Sequence, residues 1–274
     1  MRMIDMHVHS TCSDGTYAPE RLASAAAKRG LSLLALTDHD TTSGLARFMQ
    51  ACRKEGVRGL CGVELSAEAP YTLHILGYRI RPGSAALEGR LSEVRDCRNN
   101  RNVKICANLH ALGFDIEIDE VEKISGGEVV ARPHIARLMV QKGYVPTVGM
   151  AFIKYLDRNG AAYVPRVRLS AEECISLIRE AGGVAVLAHP AQCRLNDAAM
   201  DALLARLKAA GLWGLEAVYG ANPPELTMSH LALAAKFGLY TTAGSDFHGA
   251  NRPEIDLGIA VGDALLPWAR LESR

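Results

Sequence analysis

The sequence predicts an α/β fold with a functional site at one edge of a parallel sheet. Apolar segments of strand length alternate with helical segments near both ends of the chain, which is typical of strand–helix–strand units. Most strand segments end in histidine, aspartate or glutamate, and the carboxyl ends of parallel strands meet at one edge. Between about residues 83 and 165 only helical patterns occur. We therefore predict a parallel α/β domain, residues 1–97 and 165–274, with a helical insertion, residues 98–164.

Four strands and two helices are predicted before the insertion. The first strand leads into His7 and His9, and its alternation places both imidazoles on one side. The next helix has Pro19 in its first turn, and Gly30 follows its end, which are usual positions for these residues. The other predicted elements here are a helix at 43–55 and strands at 31–37, 57–65 and 71–78.

The insertion and the C-terminal part complete the predicted order. Helical patterns occupy roughly residues 84–112, 132–142 and 147–158. Ser170 is an apparent helix N-cap, since glutamates follow it in the first turn. The later predicted elements are helices at 170–181, 197–210 and 224–237, and strands at 183–188, 213–219, 239–244 and 259–261.

Composition limits the classes of function. The chain has 31 basic and 30 acidic residues, so its net charge of +1 gives no case for a generic nucleic-acid or membrane-binding surface. The seven cysteines are scattered without a CxxC pair, which favours reduced thiols over a disulfide framework. No apolar run approaches the ~18 residues that span a bilayer. We expect a cytoplasmic protein with no membrane partner and no evident obligate protein partner.

Nine residues at strand ends form a candidate metal site. Imidazole with carboxylate, and no recruited thiolate, suits zinc, manganese or iron(II). Nine ligands are too many for one ion, and they would serve two to three divalent ions, with Glu64 able to bridge. Such sites perform hydrolysis, because the ions lower the pKa of water and neutralise charge on a phosphoryl group. The candidates are His7, His9, Asp14, His39, Glu64, His74, His189, Asp246 and His248.

Residues near these candidates have competing interpretations. A single histidine at a strand end is more often a core or surface residue than a ligand, and only the joint pattern favours metal. Asp38 and Asp40 fit three roles: orienting His39, capping the next helix or binding metal. Four further residues have structural roles in this interpretation, with Cys12 and Cys193 as small buried thiols and His110 and His230 on helix surfaces.

These motifs together resemble the PHP (polymerase and histidinol phosphatase) family of metal-dependent phosphoesterases. The matching motifs are His7-Val8-His9-Ser10 with Asp14-Gly15, Thr37-Asp38-His39-Asp40, Gly62-Val63-Glu64, His74, Ala188-His189-Pro190 and Gly244-Ser245-Asp246-Phe247-His248. The resemblance implies a distorted (β/α)7 barrel with a trinuclear site. The implied ligands are His7, His9, Glu64 and Asp246 for one ion, Glu64, His74 and His189 for a second, and Asp14, His39 and His248 for a third.

Within the family, two segments of the insertion are similar to 3′,5′-nucleoside bisphosphate phosphatases and 5′-to-3′ exoribonucleases acting on short RNA. These segments are Arg132-Pro133-His134-Ile135-Ala136-Arg137 and Ala162-Tyr163-Val164-Pro165. The resemblance implies a cleft between barrel and insertion in which Arg132 and His134 face the substrate. A guanidinium binds phosphate bidentately, and an imidazole can hold a phosphate or protonate a leaving alkoxide. Arg132 also fits as an ordinary arginine at a helix start, and Arg166 and Arg194 are further candidate phosphate contacts.

The predicted activity is hydrolysis of a phosphate monoester by a hydroxide that bridges the ions, with Glu64, His134 and Asp246 as catalytic residues. The expected substrate is a small phosphorylated molecule, either a nucleoside 3′,5′-bisphosphate or the end of a short oligonucleotide. Two alternatives remain open: a phosphatase for a small metabolite such as histidinol phosphate, and a non-catalytic metal-binding module. Comparing turnover of mono- and bisphosphates separates the first alternative. For the second, chelation should reduce stability rather than turnover.

Overall fold

The computed structural model describes residues 1–125, 130–165 and 168–267 and divides the chain into two compact units. The first unit is Met1–Gly89 with Leu169–Arg274, and the second is Arg90–Arg168. Each unit has an apolar core of its own. Among the described residues, no helix combines the length and the apolar character that a membrane span requires.

The first unit is built on one eight-stranded sheet. Its strands are β1 Arg2–Val8, β2 Leu33–Leu36, β3 Arg58–Ser66, β4 His74–Tyr78, β5 Val184–Leu187, β6 Gly214–Tyr219, β7 Tyr240–Gly244 and β8 Ile259–Val261. Their order in the sheet is β7-β6-β5-β4-β3-β2-β1-β8. A bridge between Val8 and Phe247 brings the end of β1 beside the segment after β7, so the sheet is nearly closed. The predicted distorted barrel is confirmed, and β8 is a short addition to its seven strands.

The direction of β4 differs from the prediction of a parallel sheet. β4 is antiparallel to both β3 and β5, and β8 is antiparallel to β1. The connection between β3 and β4 contains no helix, and a parallel pair needs a crossover of a dozen or more residues. His74 is consequently the first residue of β4, paired with Ser66 at the end of β3. The reversal therefore keeps His74 at the edge where the neighbouring strands end.

The helices follow the predicted order, with one addition. They are α1 Pro19–Lys28, α2 Leu45–Glu55, α3 Ala85–Ala111, α4 Ile118–Ser125, α5 Arg132–Gln141, α6 Val148–Ala151, α7 Ala171–Glu180, α8 Asp197–Ala209 and α9 Pro224–Lys236. The predicted segment 147–158 is α6 continued by a π-helical turn, Phe152–Leu156. The sequence did not indicate α4, because Val121 alone among its eight residues is buried and no apolar period results.

The second unit packs around the helical residues of the predicted insertion. The C-terminal half of α3 contributes Ile105 and Leu109, and α5 contributes Ile135 and Met139, all of them buried. Aromatic side chains lie against this cluster, and Phe114 makes edge contacts with two tyrosine rings. The apolar residues whose spacing predicted these helices therefore form the core of the second unit.

Candidate metal centre

The nine predicted ligands lie together at the edge of the barrel where most strands end. β1 and the turn after it supply His7 and His9, and the following loop supplies Asp14. The segments after β2, β5 and β7 supply the other residues that follow strands, whereas Glu64 lies within β3 and His74 begins β4. Six of the nine are buried, namely His7, His9, Glu64, His189, Asp246 and His248. The other three, Asp14, His39 and His74, are partly buried.

Glu64 is the centre of this cluster. Its Oε1 lies 2.8 Å from Nδ1 of His74 and 3.0 Å from Nε2 of His189. Three other imidazoles face its Oε2, with His39 Nδ1 at 3.0 Å and His7 Nε2 and His9 Nε2 each at 3.3 Å. Two main-chain hydrogen bonds fix the backbone of Glu64, because Glu64 N donates to Asp38 O and Glu64 O accepts from Asp40 N. The two oxygens of Glu64 thus face different sets of histidines.

Three groups of ligand atoms are close enough to share an ion, since the atoms of each group lie within 4.8 Å of one another. The groups are His7, His9, Glu64 and Asp246; His9, Asp14, His39 and His248; and His39, Glu64 and His74. His9 and His39 therefore each belong to two groups, whereas the family resemblance placed each on one ion. His189 is outside the three groups, but its imidazole contacts Glu64.

Several of these side chains carry buried polar atoms without a hydrogen-bond partner among the described residues. The atoms are His7 Nε2, His9 Nδ1 and Nε2, Asp14 Oδ1, His39 Nδ1, Glu64 Oε2 and His189 Nδ1. Their short distances to neighbouring ligand atoms lack hydrogen-bond geometry. A buried polar atom left unpaired costs about 1–3 kcal/mol. Bound cations would satisfy these atoms together, so the donor set fits a multinuclear site of divalent ions.

The pKa shifts show a site prepared for positive charge. Burial raises the pKa of Glu64, but the opposing effect of His39, His7 and His74 is larger and holds it well below its usual range. Burial lowers the pKa of His9, yet Asp246 and Glu64 raise it to about 10. The raised pKa of His9 favours its protonated form beside these carboxylates, whereas burial lowers the pKa of His74 to about 4. A metal ion bound to His9 would replace its proton.

Two residues of the site have backbones in the left-handed region. His189 has φ of 25° and Asp246 has φ of 61°. Such conformations cost about 1–3 kcal/mol in a residue other than glycine, and they persist only where the surroundings fix them. Glu216 Oε2 accepts from His189 N at 2.7 Å, and Asp246 N donates to His7 O at 2.8 Å. These contacts hold the turns that direct both side chains into the cluster.

Comparison with known proteins places this site in a family. Residues 5–211 match the family model of the PHP domain. The chain belongs to the PHP family. It is 35% identical to a 3′,5′-nucleoside bisphosphate phosphatase of Chromobacterium violaceum, covering 100% of this chain and 98% of that protein. It is 32% identical to a 5′-3′ exoribonuclease of Haemophilus influenzae, covering 97% and 98%.

A solved structure supports the same PHP assignment. An amidohydrolase of Chromobacterium violaceum, determined with bound sulfate and no metal, superposes with a TM-score of 0.86 at 33% identity. The match covers 98% of this chain and 95% of that one. The predicted family and the predicted enzyme class, a hydrolase of the metal-dependent phosphoesterase type, are confirmed.

Buried carboxylates behind the PHP centre were missing from the sequence prediction. Glu216, in the middle of β6, lies with Oε1 2.9 Å from Nδ1 of His7 while its other oxygen binds His189 N. Asp5 accepts from Ser245 N at 2.9 Å and from the Ser245 hydroxyl. Both acids are fully buried inside apolar strands. A carboxylate at such a position was the signal that could have identified them, because buried charges require partners.

The structure also resolves the roles of the two aspartates beside His39. Asp38 accepts from Ser10 N at 2.7 Å and from the hydroxyls of Ser10 and Ser13 at 2.6 Å. It therefore fixes the loop that carries Asp14. Asp40 accepts from Ser66 N at 3.0 Å and so ties the end of β3 to the preceding turn.

The predicted substrate residues of the insertion belong to the second unit. Arg132 is the first residue of α5 and donates to the carbonyl oxygen of Leu156 at 2.7 Å, and its guanidinium lies 3.8 Å from Asp157. His134 is buried, and its Nδ1 accepts from Ala131 N at 3.1 Å. Both side chains therefore have defined orientations within their own unit.

The other predicted residues have varied surroundings. Arg194 is exposed in the first unit after the short helical turn that follows His189. Arg166 lies outside the described residues. Cys12 and Cys193 are buried thiols, as predicted. The prediction that His230 lies on a helix surface is wrong, because the residue is only 5% exposed and its Nδ1 lies 3.2 Å from Nδ2 of Asn222.

Proposed function

We propose that this PHP protein removes a phosphate from nucleoside 3′,5′-bisphosphates and releases nucleotides from the 5′ end of short RNA. The proposed ligands of two to three divalent ions are His7, His9, Asp14, His39, Glu64, His74, His189, Asp246 and His248. The observation that carries the proposal is the buried set of unpartnered ligand atoms around Glu64. Manganese, zinc and iron all suit this donor set.

The chain's own residues determine where the ions and the phosphate would lie. When bound, the ions would activate water and neutralise the charge that develops on the phosphoryl group. Glu64 can serve two ions, because His74 and His189 face one of its oxygens and other histidines face the second. The buried carboxylate of Asp246 faces His9 at 3.2 Å and completes the group that includes Glu64. Glu64 and Asp246 are therefore the proposed catalytic carboxylates.

The substrate class rests on the relatives and on the charge of the proposed contacts. The two relatives with full-length similarity are named for a nucleoside bisphosphate and for RNA, and the solved relative holds a sulfate, a tetrahedral dianion like phosphate. We propose Arg132 and His134, with Arg166 and Arg194, as contacts of the substrate's phosphates. The contact of His134 Nδ1 with a main-chain donor selects the neutral tautomer with its proton on Nε2. The Nε2–H group can donate a hydrogen bond to a phosphate oxygen or to the leaving oxygen.

A release assay on metal-reconstituted protein tests the proposal. Adenosine 3′,5′-bisphosphate, adenosine monophosphates, histidinol phosphate and short 5′-phosphorylated RNA are compared with manganese, zinc or iron. A second phosphate held by a charge-assisted contact should raise kcat/KM about 10- to 100-fold over the monophosphates. Arg132→Met should remove this preference while leaving monophosphate turnover, and Arg206→Met, which breaks an exposed ion pair with Glu172, should not.

Other outcomes would contradict the proposal. Absence of metal-dependent phosphate or nucleotide release from every substrate would leave a non-catalytic metal module. Equal turnover of histidinol phosphate and the bisphosphate would favour a phosphatase for small metabolites. An unchanged bisphosphate preference in Arg132→Met would remove Arg132 from the substrate contacts.

A further inference from the structure

The two oxygens of the Asp246 carboxylate have different surroundings. Oδ1 faces the cluster, 3.2 Å from Nε2 of His9 and 3.5 Å from Nε2 of His7. Oδ2 accepts hydrogen bonds from the Tyr219 hydroxyl at 2.9 Å and from Nη1 of Arg252 at 2.5 Å. One oxygen thus faces the proposed ions, whereas protein donors hold the other.

Tyr219 is itself fixed in place. Its ring is buried with 5% exposure, and its hydroxyl donates to Asp246. The same hydroxyl oxygen accepts from Nε2 of Gln192 at 3.1 Å and lies 3.3 Å from Nη2 of Arg252. A phenolic hydroxyl has one proton to donate and two lone pairs to accept with, so its capacity is filled. The hydroxyl cannot leave Asp246 without breaking this network.

Arg252 supplies the charge in the network. Its side chain is 29% exposed, and its Nε lies 3.7 Å from Glu254, which anchors the outer side of the guanidinium. The contact with Asp246 is charge-assisted, and such bonds are roughly twice as strong as neutral ones. Because the guanidinium is planar and rigid, it bridges the carboxylate and the Tyr219 hydroxyl at once.

We propose that Arg252 and Tyr219 are positioning residues that hold Asp246 with one oxygen directed to the metal centre. The inference rests on the proposed function, since it requires that Asp246 be a ligand. If the carboxylate rotated so that both oxygens faced the metal centre, the hydrogen bonds from Tyr219 and Arg252 to Oδ2 would break. Asp246 would therefore offer only Oδ1 to an ion held in the centre.

The test compares metal binding in variants that alter only the network. Apparent affinity is measured by competition with a chelating dye, and the visible absorption of the cobalt-loaded protein reports coordination number. Arg252→Met should weaken metal binding about 10- to 100-fold, as is typical for residues behind metal ligands. Tyr219→Phe removes one hydrogen bond and should weaken it about 2- to 10-fold. Arg252→Lys keeps the charge and should be intermediate, and Arg47→Met, which breaks an exposed pair with Glu20, should match the unaltered protein.

The expected result includes a changed cobalt spectrum in Arg252→Met and a lower kcat with KM little altered. If Arg252 only contacts substrate, its loss raises KM with metal affinity and the cobalt spectrum unchanged, which overturns the inference. The inference is also overturned if Arg252→Met and Tyr219→Phe both bind metal with the same affinity as Arg47→Met. If Arg252→Met does not fold, Tyr219→Phe decides. Failure of the unaltered protein to bind metal would instead refute the proposed function.

Discussion

Replacing Glu216 with glutamine should weaken metal binding although the change is isosteric. If the new amide keeps its oxygen on His189 N, its NH2 group faces Nδ1 of His7, where Oε1 now lies at 2.9 Å. His7 Nδ1 must then accept, so the imidazole carries its proton on Nε2. That nitrogen is the unpartnered atom directed toward Glu64, and a protonated nitrogen cannot bind a metal.

The opposite amide orientation is no better. It places the NH2 group against His189 N and leaves a fully buried donor without a partner, which costs about 1–3 kcal/mol. We therefore expect Glu216→Gln to lower metal affinity about 10- to 100-fold. This loss equals about 1.4–2.8 kcal/mol of binding free energy. Calorimetric titration with zinc measures it, with Glu172→Gln, at an exposed ion pair, as the matched control. Equal affinities of the two variants would refute the reasoning.

Two further variants test the packing and the fold. Gly244→Ala would place a Cβ atom 2.2 Å from Cβ of His7, so the backbones of β1 and β7 must shift. We expect the free energy of unfolding to fall by about 1–3 kcal/mol and metal binding to weaken. Unchanged unfolding in urea would contradict this packing. Ser170→Ala removes a capping box in which Ser170 Oγ accepts from Glu173 N at 3.2 Å and Glu173 accepts from Ser170 N at 2.8 Å. It should lower the free energy of unfolding by about 1 kcal/mol with turnover unchanged, and loss of turnover at unchanged stability would be inconsistent with a purely structural role for this cap.

The sequence predicted much of the barrel and of the candidate site because both produce patterns among residues that are close together in the chain. Buried strands appear as short apolar runs, and polar residues at their ends stand out against that background. The sequence of β4 did not indicate its direction, since a strand of this length and composition can run either way in a sheet. Only the short connection from Ser66 to His74 decides it.

Residues that contact the proposed metal ligands, rather than the ions, are harder to recognise in the sequence. Glu216 occupies a single position in an apolar strand, and its role appears only when β6 lies beside β5 and His7. Arg252 follows His248 in a polar loop, where an arginine has no distinctive neighbour in sequence. Its contact with Asp246 depends on the folded loop and on Tyr219, which is 33 residues away in the chain. Such positions are defined by tertiary structure rather than by local pattern.

The central claim is that clustered side chains around Glu64 hold catalytic metal ions, and a combined measurement of metal content and turnover tests it most directly. Elemental analysis of the purified protein, stripped and then titrated with metal, should give two to three ions per chain. Release of phosphate from adenosine 3′,5′-bisphosphate should rise as these sites fill. Glu64→Gln should bind at least one ion fewer and lose nearly all turnover. Full turnover of the stripped protein, or normal metal content and turnover in Glu64→Gln, would contradict the account.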